Sequence, residues 1–242
     1  MNSKEFPEQT HEEYPSHDLI VQQVVKIGLF VLVLATLLFV SSGRVTWLMA
    51  WVYIGVYAAG TILNSFLIIP RNPALLDERT RIKKDANKWD KALAPLMAGL
   101  CPAITVTIAG LDIRFNWSPQ IPFRLQIAAI ALAALGHLLL TWAMATNSFF
   151  SAIVRIQKDR GHTVVTSGPY QYVRHPGYVG IIVFALATPL ILGSLWAFIP
   201  ALFMLFISVV RIVLEERTLK EELKGYSDYA DQVRYRLFPG IW

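Results

Sequence analysis

Long apolar stretches separated by short polar intervals occupy most of the chain. A helix needs roughly 20 mostly apolar residues to cross a bilayer, and the first four stretches meet that length. Two shorter apolar stretches follow a polar interval and are joined at Gly193 and Ser194. The predicted segments cover residues 19–40, 46–69, 92–111, 121–146, 177–192 and 195–213. This pattern predicts an all-α, polytopic integral membrane bundle of about six apolar segments, the last two forming a helical hairpin.

The two ends of the chain are polar and differ from the segments between them. Residues 1–18 are acidic and lack the basic start and immediate apolar stretch of a cleavable signal peptide, so they are predicted to form a polar tail. Near the other end, apolar residues recur at helical spacing through residues 215–235, which predicts an amphipathic helix that Gly225 interrupts. Within this single bundle, residues 19–146 are expected to form a four-helix transmembrane region and residues 147–242 the functional core, with the C-terminal hairpin and tail.

Composition and charge support a membrane location. The chain is 55% hydrophobic and 16% charged, whereas an ordinary soluble domain carries about 25% charged residues. With six crossings, 19 of the 22 Lys and Arg residues lie on one side of the membrane, and the positive-inside rule makes that side cytosolic. Both termini are therefore predicted to be cytosolic. The basic residues lie in loops without interleaved aromatic residues, so the net charge of +5 does not indicate a nucleic-acid partner.

Two polar clusters are candidates for chemistry. The first is the string 161–180, which reads GHTVVTSGPYQYVRHPGYVG and cannot form one continuous helix because of its glycines and prolines. The second comprises Arg211, Glu215, Glu216 and Arg217 at the end of the last apolar segment. Either cluster taken alone is compatible with an interfacial loop or a solvated helix end. If the last two segments form a hairpin, however, the two clusters are expected to meet.

The order of these motifs resembles the isoprenylcysteine carboxyl methyltransferase family, and phospholipid N-methyltransferases share its C-terminal pattern. The resemblance covers roughly residues 142–242 and is carried by five motifs in sequence. They are His162 with VTSGPY at 165–170, RHPGYVG at 174–180, Glu215-Glu216 with Leu219, Gly225 with Tyr229, and RLFP at 236–239. The first four apolar segments match the family only in general character.

This resemblance implies a membrane-embedded, S-adenosylmethionine-dependent methyltransferase. It implies that Arg174 faces the methyl acceptor and that the glutamate pair contributes to catalysis and cofactor binding, without indicating which glutamate does which. The cofactor-binding residues that it implies are His162, Val165, Gly168, Tyr170, His175, Tyr178, Glu215 and Glu216. The expected acceptor is lipid-like or prenylated and enters from the bilayer.

The residues permit more than one acceptor chemistry. A carboxylate acceptor is already ionised near neutral pH and needs mainly an arginine such as Arg174 to align it. An amine acceptor must first lose a proton, for which Glu215, Glu216 or His175 could act as base. We favour the carboxylate, with phospholipid or amine N-methylation as the alternative and a NADPH-dependent membrane reductase or a non-catalytic transporter as less favoured classes.

Three polar residues inside the apolar segments admit a functional or a structural interpretation. His137 is an ionisable residue within the fourth segment, which marks it as a functional candidate, although a bond to a neighbouring helix explains it equally well. Asn64 and Asn147 can line an acceptor tunnel or bond between helices. The histidine spacings match no zinc motif, so no metal site is predicted.

Overall fold

All the regular secondary structure in the described part of the chain is helical. The computed structural model describes residues 17–69 and 87–242, and within these ranges it contains no strand. The helices, numbered here in chain order, are α1 His17–Ser42, α2 Leu48–Ile68, α3 Asp90–Phe115, α4 Phe123–Thr146, α5 Pro176–Leu192, α6 Phe198–Glu222 and α7 Tyr226–Gln232. The predicted all-α bundle is confirmed.

Five of these helices, α1, α2, α3, α4 and α6, are long and apolar enough to cross a membrane. Helix α5 is also apolar but has only 17 residues, so the number of crossings stays a prediction. Helix α1 begins at His17, two residues before the predicted start, and the rest of the predicted N-terminal tail lies outside the described residues. Large apolar side chains such as Leu29, Phe66 and Ile199 are exposed on the outside of the bundle, as expected for an integral membrane protein.

Small residues bring α4 and α5 close together. A Cβ atom at Gly136 on α4 would lie only 2.7 Å from the carbonyl oxygen of Gly180 on α5. Glycine at this position lets the two backbones approach, which is the usual way in which membrane helices maximise their packing. The contact fixes the start of α5, which carries several candidate site residues, beside the end of α4.

The predicted hairpin of the last two apolar segments is present as α5 and α6. Gly193 ends α5 with a φ of 77°, in the left-handed region that favours glycine. The next residue, Ser194, donates a hydrogen bond from Oγ to the buried carboxylate of Asp112 on α3 at 2.5 Å. The Asp112 carboxylate also accepts a bond from the backbone N–H of Ser118 at 2.7 Å and therefore ties the hairpin turn to the α3–α4 connection.

The boundary predicted within the C-terminal region is wrong in one respect. Helix α6 does not end at Val213 but continues to Glu222, so the glutamate pair belongs to it and not to a separate amphipathic helix. No glycine or proline interrupts residues 214–222, and Arg217 and Glu221 form an i,i+4 ion pair along the extension. The predicted interruption at Gly225 is confirmed, because Gly225 has a φ of 85° and α7 begins immediately after it.

The helix order places all the candidate site residues near one face of the bundle. At this face, called the site face below, α2 and α4 end and α3 and α5 begin. Helix α6 ends there as well, and the long α4–α5 connection, residues 147–175, lies across it. The opposite face carries the short connections between α1 and α2, α3 and α4, and α5 and α6.

Candidate active site

The α4–α5 connection is an irregular loop that is shaped by glycine and proline. Gly168 has a φ of 58°, and a Cβ atom there would lie 2.8 Å from Oγ1 of Thr146 at the end of α4, so both conformation and space favour glycine. Pro169 lies in the 3₁₀ turn Gly168–Gln171, and Pro176 is the first residue of α5, where its missing N–H costs nothing. The loop therefore returns to the bundle with Arg174 and His175 directly at the helix start.

The two predicted polar clusters meet at the site face, as expected from the hairpin. The carboxylate of Glu216 on α6 accepts a hydrogen bond from Arg174 Nε at 2.5 Å and another from Arg236 Nε at 2.7 Å. The Nε2 atom of His175 lies 3.3 Å from the same carboxylate. The Glu216 side chain is only 4% exposed, so the loop, α6 and the C-terminal segment converge on one buried anion.

The neighbouring glutamate points elsewhere. Glu215 accepts a 2.7 Å hydrogen bond from the hydroxyl of Tyr178 on α5 and borders an internal cavity, whereas Glu216 does not border it. Successive residues of a helix project about 100° apart, so two adjacent glutamates face different neighbours. The geometry therefore separates a cavity-facing carboxylate, Glu215, from a buried carboxylate, Glu216, that holds cationic side chains.

The cavity has a volume of about 710 Å³ and lies among the bundle helices and the α4–α5 loop. At the site face its wall includes Glu215, Tyr178 and His175. From there it extends between the helices as far as Tyr53 on α2 and Thr188 on α5. One end is therefore rich in polar groups, and the other is mainly apolar.

Six of the eight predicted cofactor residues border this cavity: His162, Val165, Tyr170, His175, Tyr178 and Glu215. The other two do not. Gly168 packs against Thr146 and Trp142, and Glu216 is occupied by its three nitrogen partners. Both are placed to support the wall of the cavity and not to form it.

Two nitrogens of Arg174 are bonded within the protein. It borders the cavity, but it is 7% exposed and its Nη1 donates to the carbonyl oxygens of Ala230, Val233 and Arg234 at 3.3, 2.6 and 2.9 Å. Its Nε donates to Glu216. The two nitrogens therefore tie the loop to α6 and to the C-terminal segment, and a clamp on the acceptor carboxylate stays a prediction.

A buried ion pair that the sequence interpretation did not include completes the wall. Arg211 on α6 donates to Asp90 on α3 from Nε at 2.6 Å and from Nη2 at 2.9 Å, and both residues border the cavity. Asp90 also accepts a bond from the backbone N–H of Val154, and Arg211 donates to the carbonyl oxygen of Ala152. The pair therefore fastens the α4–α5 loop to two helices. Its partners lie 121 residues apart, and no local pattern in the sequence links them.

Two tyrosines of α7 also line the cavity. Tyr229 donates a hydrogen bond to the carbonyl oxygen of Tyr170 at 2.8 Å, and Tyr226 packs beside it with ring centroids 5.7 Å apart. Burial, reinforced for Tyr226 by the nearby carboxylates of Glu216 and Glu215, raises the pKa of both phenols. They remain neutral hydroxyls at physiological pH. Both residues form part of the periodic apolar pattern in the C-terminal sequence.

His162 in the loop is held neutral. Its ring stacks on Phe149 with centroids 4.5 Å apart, and burial together with the charges of Arg155 and Arg160 lowers the pKa of His162 to about 4. This side chain therefore offers a flat, uncharged surface at the cavity wall near neutral pH. Within residues 17–69 and 87–242, no group of three or more potential metal-ligating side chains occurs.

The polar residues inside the apolar segments have divergent environments. Asn64 on α2 donates from Nδ2 to Thr141 Oγ1 on α4 at 3.1 Å, which is a bond between helices. Asn147 borders the cavity and donates to the hydroxyl of Tyr170 at 3.3 Å. His137 also borders the cavity, and its Nδ1 is buried without a hydrogen-bond partner in the part of the chain that the structure describes.

The fold and the cavity together define a polytopic helical membrane protein with an internal cavity that is polar at the site face. Comparison with known proteins shows which protein family this architecture resembles. Residues 129–221 match the model of the isoprenylcysteine carboxyl methyltransferase (ICMT) family. The resemblance deduced from the sequence motifs is thereby confirmed.

Individual relatives agree with this family match. The chain is 35% identical over 120 residues to a protein-S-isoprenylcysteine O-methyltransferase of Schizosaccharomyces pombe. The aligned region covers 48% of this chain and 49% of the relative. It is 36% identical over 107 residues to the Saccharomyces cerevisiae protein of the same name, covering 42% of this chain and 44% of that one. The chain thus spans about half the length of the curated relatives that it matches.

A solved structure shares the fold over most of the chain. The structure of the eukaryotic intramembrane Ras methyltransferase ICMT superposes with a TM-score of 0.55 at 22% sequence identity. The match covers 92% of this chain and 77% of the other. The similarity in fold therefore includes the N-terminal helices, which the sequence motifs did not cover.

Proposed function

We propose that this chain is a membrane methyltransferase that uses S-adenosylmethionine to methylate the carboxylate of a prenylated or otherwise lipid-like acceptor. The observation that carries this proposal is the cavity, whose polar end at Glu215, Tyr178 and His175 continues into an apolar compartment between membrane helices. The relatives named as protein-S-isoprenylcysteine O-methyltransferases support the same assignment.

The residues at the polar end suit the proposed cofactor. S-adenosylmethionine carries a sulfonium cation and an amino-acid group at one end and an adenine ring at the other, and when bound it supplies an electrophilic methyl group. Glu215 offers a carboxylate toward the positive groups, and the Tyr178 hydroxyl holds that carboxylate in place. The neutral His162 and Val165 form a flat, largely apolar part of the same wall, which suits an adenine ring.

The protein's part in such a reaction is alignment and exclusion of water. A carboxylate acceptor is ionised at neutral pH and needs no general base, so holding the reacting groups in line accounts for most of the rate enhancement. We assign Arg174 and Glu216 a positioning role, because their contacts fix the start of α5 against α6 and the C-terminal segment. Glu215, Tyr178 and His175 are the residues that we expect to touch the cofactor.

Membrane orientation follows from the charge distribution. Most of the basic residues lie in the sequence between α2 and α3, between α4 and α5, and after α6, so by the positive-inside rule we expect the site face to be cytosolic. The cofactor then enters from the aqueous side. The acceptor enters from the bilayer, where its lipid chain is already dissolved.

Methyl transfer by the purified protein tests this proposal. The protein in lipid nanodiscs is incubated with S-adenosylmethionine labelled in its methyl group and with S-farnesyl N-acetylcysteine. A base-labile product that releases labelled methanol is expected, because a methyl ester hydrolyses in alkali whereas an N-methyl group does not. Labelling of phosphatidylethanolamine in place of the cysteine compound would reject the carboxylate acceptor, and failure to bind S-adenosylmethionine would reject the enzyme class.

A further inference from the structure

Several aromatic rings line the apolar part of the cavity, away from the site face. Phe30, Tyr53, Tyr57, His137 and Phe184 all border the cavity and are called the aromatic cluster below. They come from α1, α2, α4 and α5, so four helices contribute. The His137 and Phe184 rings meet edge to face with centroids 4.5 Å apart, and Tyr57 lies 6.1 Å from His137 and 6.2 Å from Phe184. These are the separations of packed aromatic pairs, so the cluster is a preformed wall.

The position of the cluster sets a distance from the reacting groups. Phe184 and Thr188 follow Tyr178 by six and ten residues on α5, which correspond to about 9 Å and about 15 Å at the rise of an α-helix. With carbon–carbon bonds of ~1.5 Å, an extended chain reaches the level of Phe184 after roughly 7 carbon atoms and the level of Thr188 after roughly 12. A longer acceptor chain therefore has to pass along the aromatic cluster, and the positions of its rings decide how much of the chain fits.

One contact between helices determines where the His137 ring lies. A Cβ atom at Gly60 on α2 would lie 2.6 Å from Cγ and 2.8 Å from Nε2 of His137, and closer still to Cδ2. The imidazole therefore occupies the space that glycine leaves free. Phe184 lies on α5 beside the same ring, so any side chain at residue 60 would force His137 away from α2 and toward the cavity.

An imidazole at this depth is costly as a packing residue alone. A polar group inside a bilayer-embedded bundle loses hydration, and although the His137 ring faces the backbone of Ala133 on its own helix, its Nδ1 makes no well-formed hydrogen bond within residues 17–69 and 87–242. A leucine or phenylalanine would fill the same volume without that cost. The buried imidazole, its glycine neighbour and its place on the cavity wall together point to contact with an occupant of the cavity.

We propose that the aromatic cluster sets the length of the lipid chain that the acceptor can carry, with Gly60 and His137 as the specificity-determining residues. This inference rests on the proposed function and assigns the apolar compartment to the acceptor chain. The Gly60–His137 contact adjusts the free length of that compartment, because it fixes how far the imidazole reaches into the cavity.

The test compares acceptors that differ only in chain length. Wild-type protein and the Gly60→Ala variant are assayed with S-geranyl, S-farnesyl and S-geranylgeranyl N-acetylcysteine, in order of increasing length. The variant is expected to lower kcat/KM for the longest acceptor relative to the shortest by on the order of 10-fold, the usual effect of losing the space for a small apolar group. Gly55→Ala is the matched control, because it makes the same change on α2 where a Cβ would meet nothing within 4 Å.

A second variant keeps the test decisive if Gly60→Ala folds poorly. His137→Ala removes the ring and is expected to shift the preference toward the longest acceptor, and in the double variant it should relieve the clash and restore longer acceptors. An unchanged length preference in His137→Ala would overturn the inference whether or not Gly60→Ala folds, and so would an unchanged preference in a folded Gly60→Ala. Failure of the wild-type protein to methylate any of the three acceptors would instead reject the proposed function on which it rests.

Discussion

Neutralising Glu216 is expected to loosen the site face, because this buried carboxylate holds the side chains of Arg174, His175 and Arg236. In Glu216→Gln the side chain keeps its size but loses its charge, and its amide nitrogen becomes a donor that must face other donors. In the wild-type protein, Arg174 Nε and Arg236 Nε donate hydrogen bonds to the Glu216 carboxylate at 2.5 and 2.7 Å. The substitution would leave the buried Arg174 guanidinium without its counter-charge.

The magnitude follows from the burial of each partner. The Arg174 and Glu216 side chains are 5% and 4% exposed, and breaking such a buried pair from one side typically costs about 3–5 kcal/mol. Arg236 is 30% exposed, so its separate contribution is screened and adds at most about 1 kcal/mol. We therefore expect the free energy of unfolding to fall by about 3–6 kcal/mol in total.

Glu221→Gln provides the matched control on the same helix. Its ion pair with Arg217 is exposed on both sides, at 59% and 77%, and an exposed pair contributes at most about 1 kcal/mol. Unfolding of each variant in detergent micelles is followed by tryptophan fluorescence, together with binding of S-adenosylmethionine. If Glu216→Gln were no less stable than Glu221→Gln, the carboxylate would not organise the site face and the positioning role would be wrong.

Three further predictions address other parts of the site. Tyr178→Phe removes the hydrogen bond to Glu215, and a bond to a charged group is worth about 1.5–3 kcal/mol. The variant should therefore raise KM for S-adenosylmethionine by on the order of 10-fold with little change in kcat. An unchanged KM would show that Tyr178 is not part of the cofactor site. The pKa of His162 lies at about 4 against an ordinary 6.5, so the contribution of the neutral ring to stability is complete above pH 6.5 and is lost as the pH falls toward 4. The free energy of unfolding measured across this range should therefore depend less steeply on pH in His162→Gln than in the wild-type protein. Equal slopes would contradict the lowered pKa. Arg174→Lys should lower stability and cofactor affinity together, whereas normal affinity with methyl transfer reduced on the order of 100-fold would favour the acceptor clamp instead.

The sequence was most informative where one physical rule sets a length or a break. Apolar stretches long enough for a bilayer predicted the helices, because a backbone in lipid must satisfy its own hydrogen bonds. Gly225 and Gly193 marked ends of helices that the structure confirms, since both adopt positive φ. The extent of α6 was missed, because a change from apolar to charged residues marks the membrane boundary and not the end of a helix.

The candidate site could be predicted as a set of residues but not as an arrangement. The order of the motifs indicated a convergence of Arg174 and His175 with the glutamate pair, and packing of α5 against α6 brings them together. Spacing alone left open which glutamate borders the cavity, because adjacent helical residues differ by about 100° in direction and the neighbours decide what each one meets. Only the tertiary structure assigns Glu215 to the cavity and Glu216 to the buried cations.

The sequence by itself therefore determined that the protein resides in a membrane, where its helices lie and which residues are available for chemistry. What only the tertiary structure decided are the long-range partners: Arg211 with Asp90, and Gly60 with the ring of His137. The physical reason is that local periodicity is encoded by neighbouring residues, whereas these contacts depend on how close two helices approach and in which rotation they pack. The sequence therefore indicated which residues form the site, and helix packing determined which of them face the cavity.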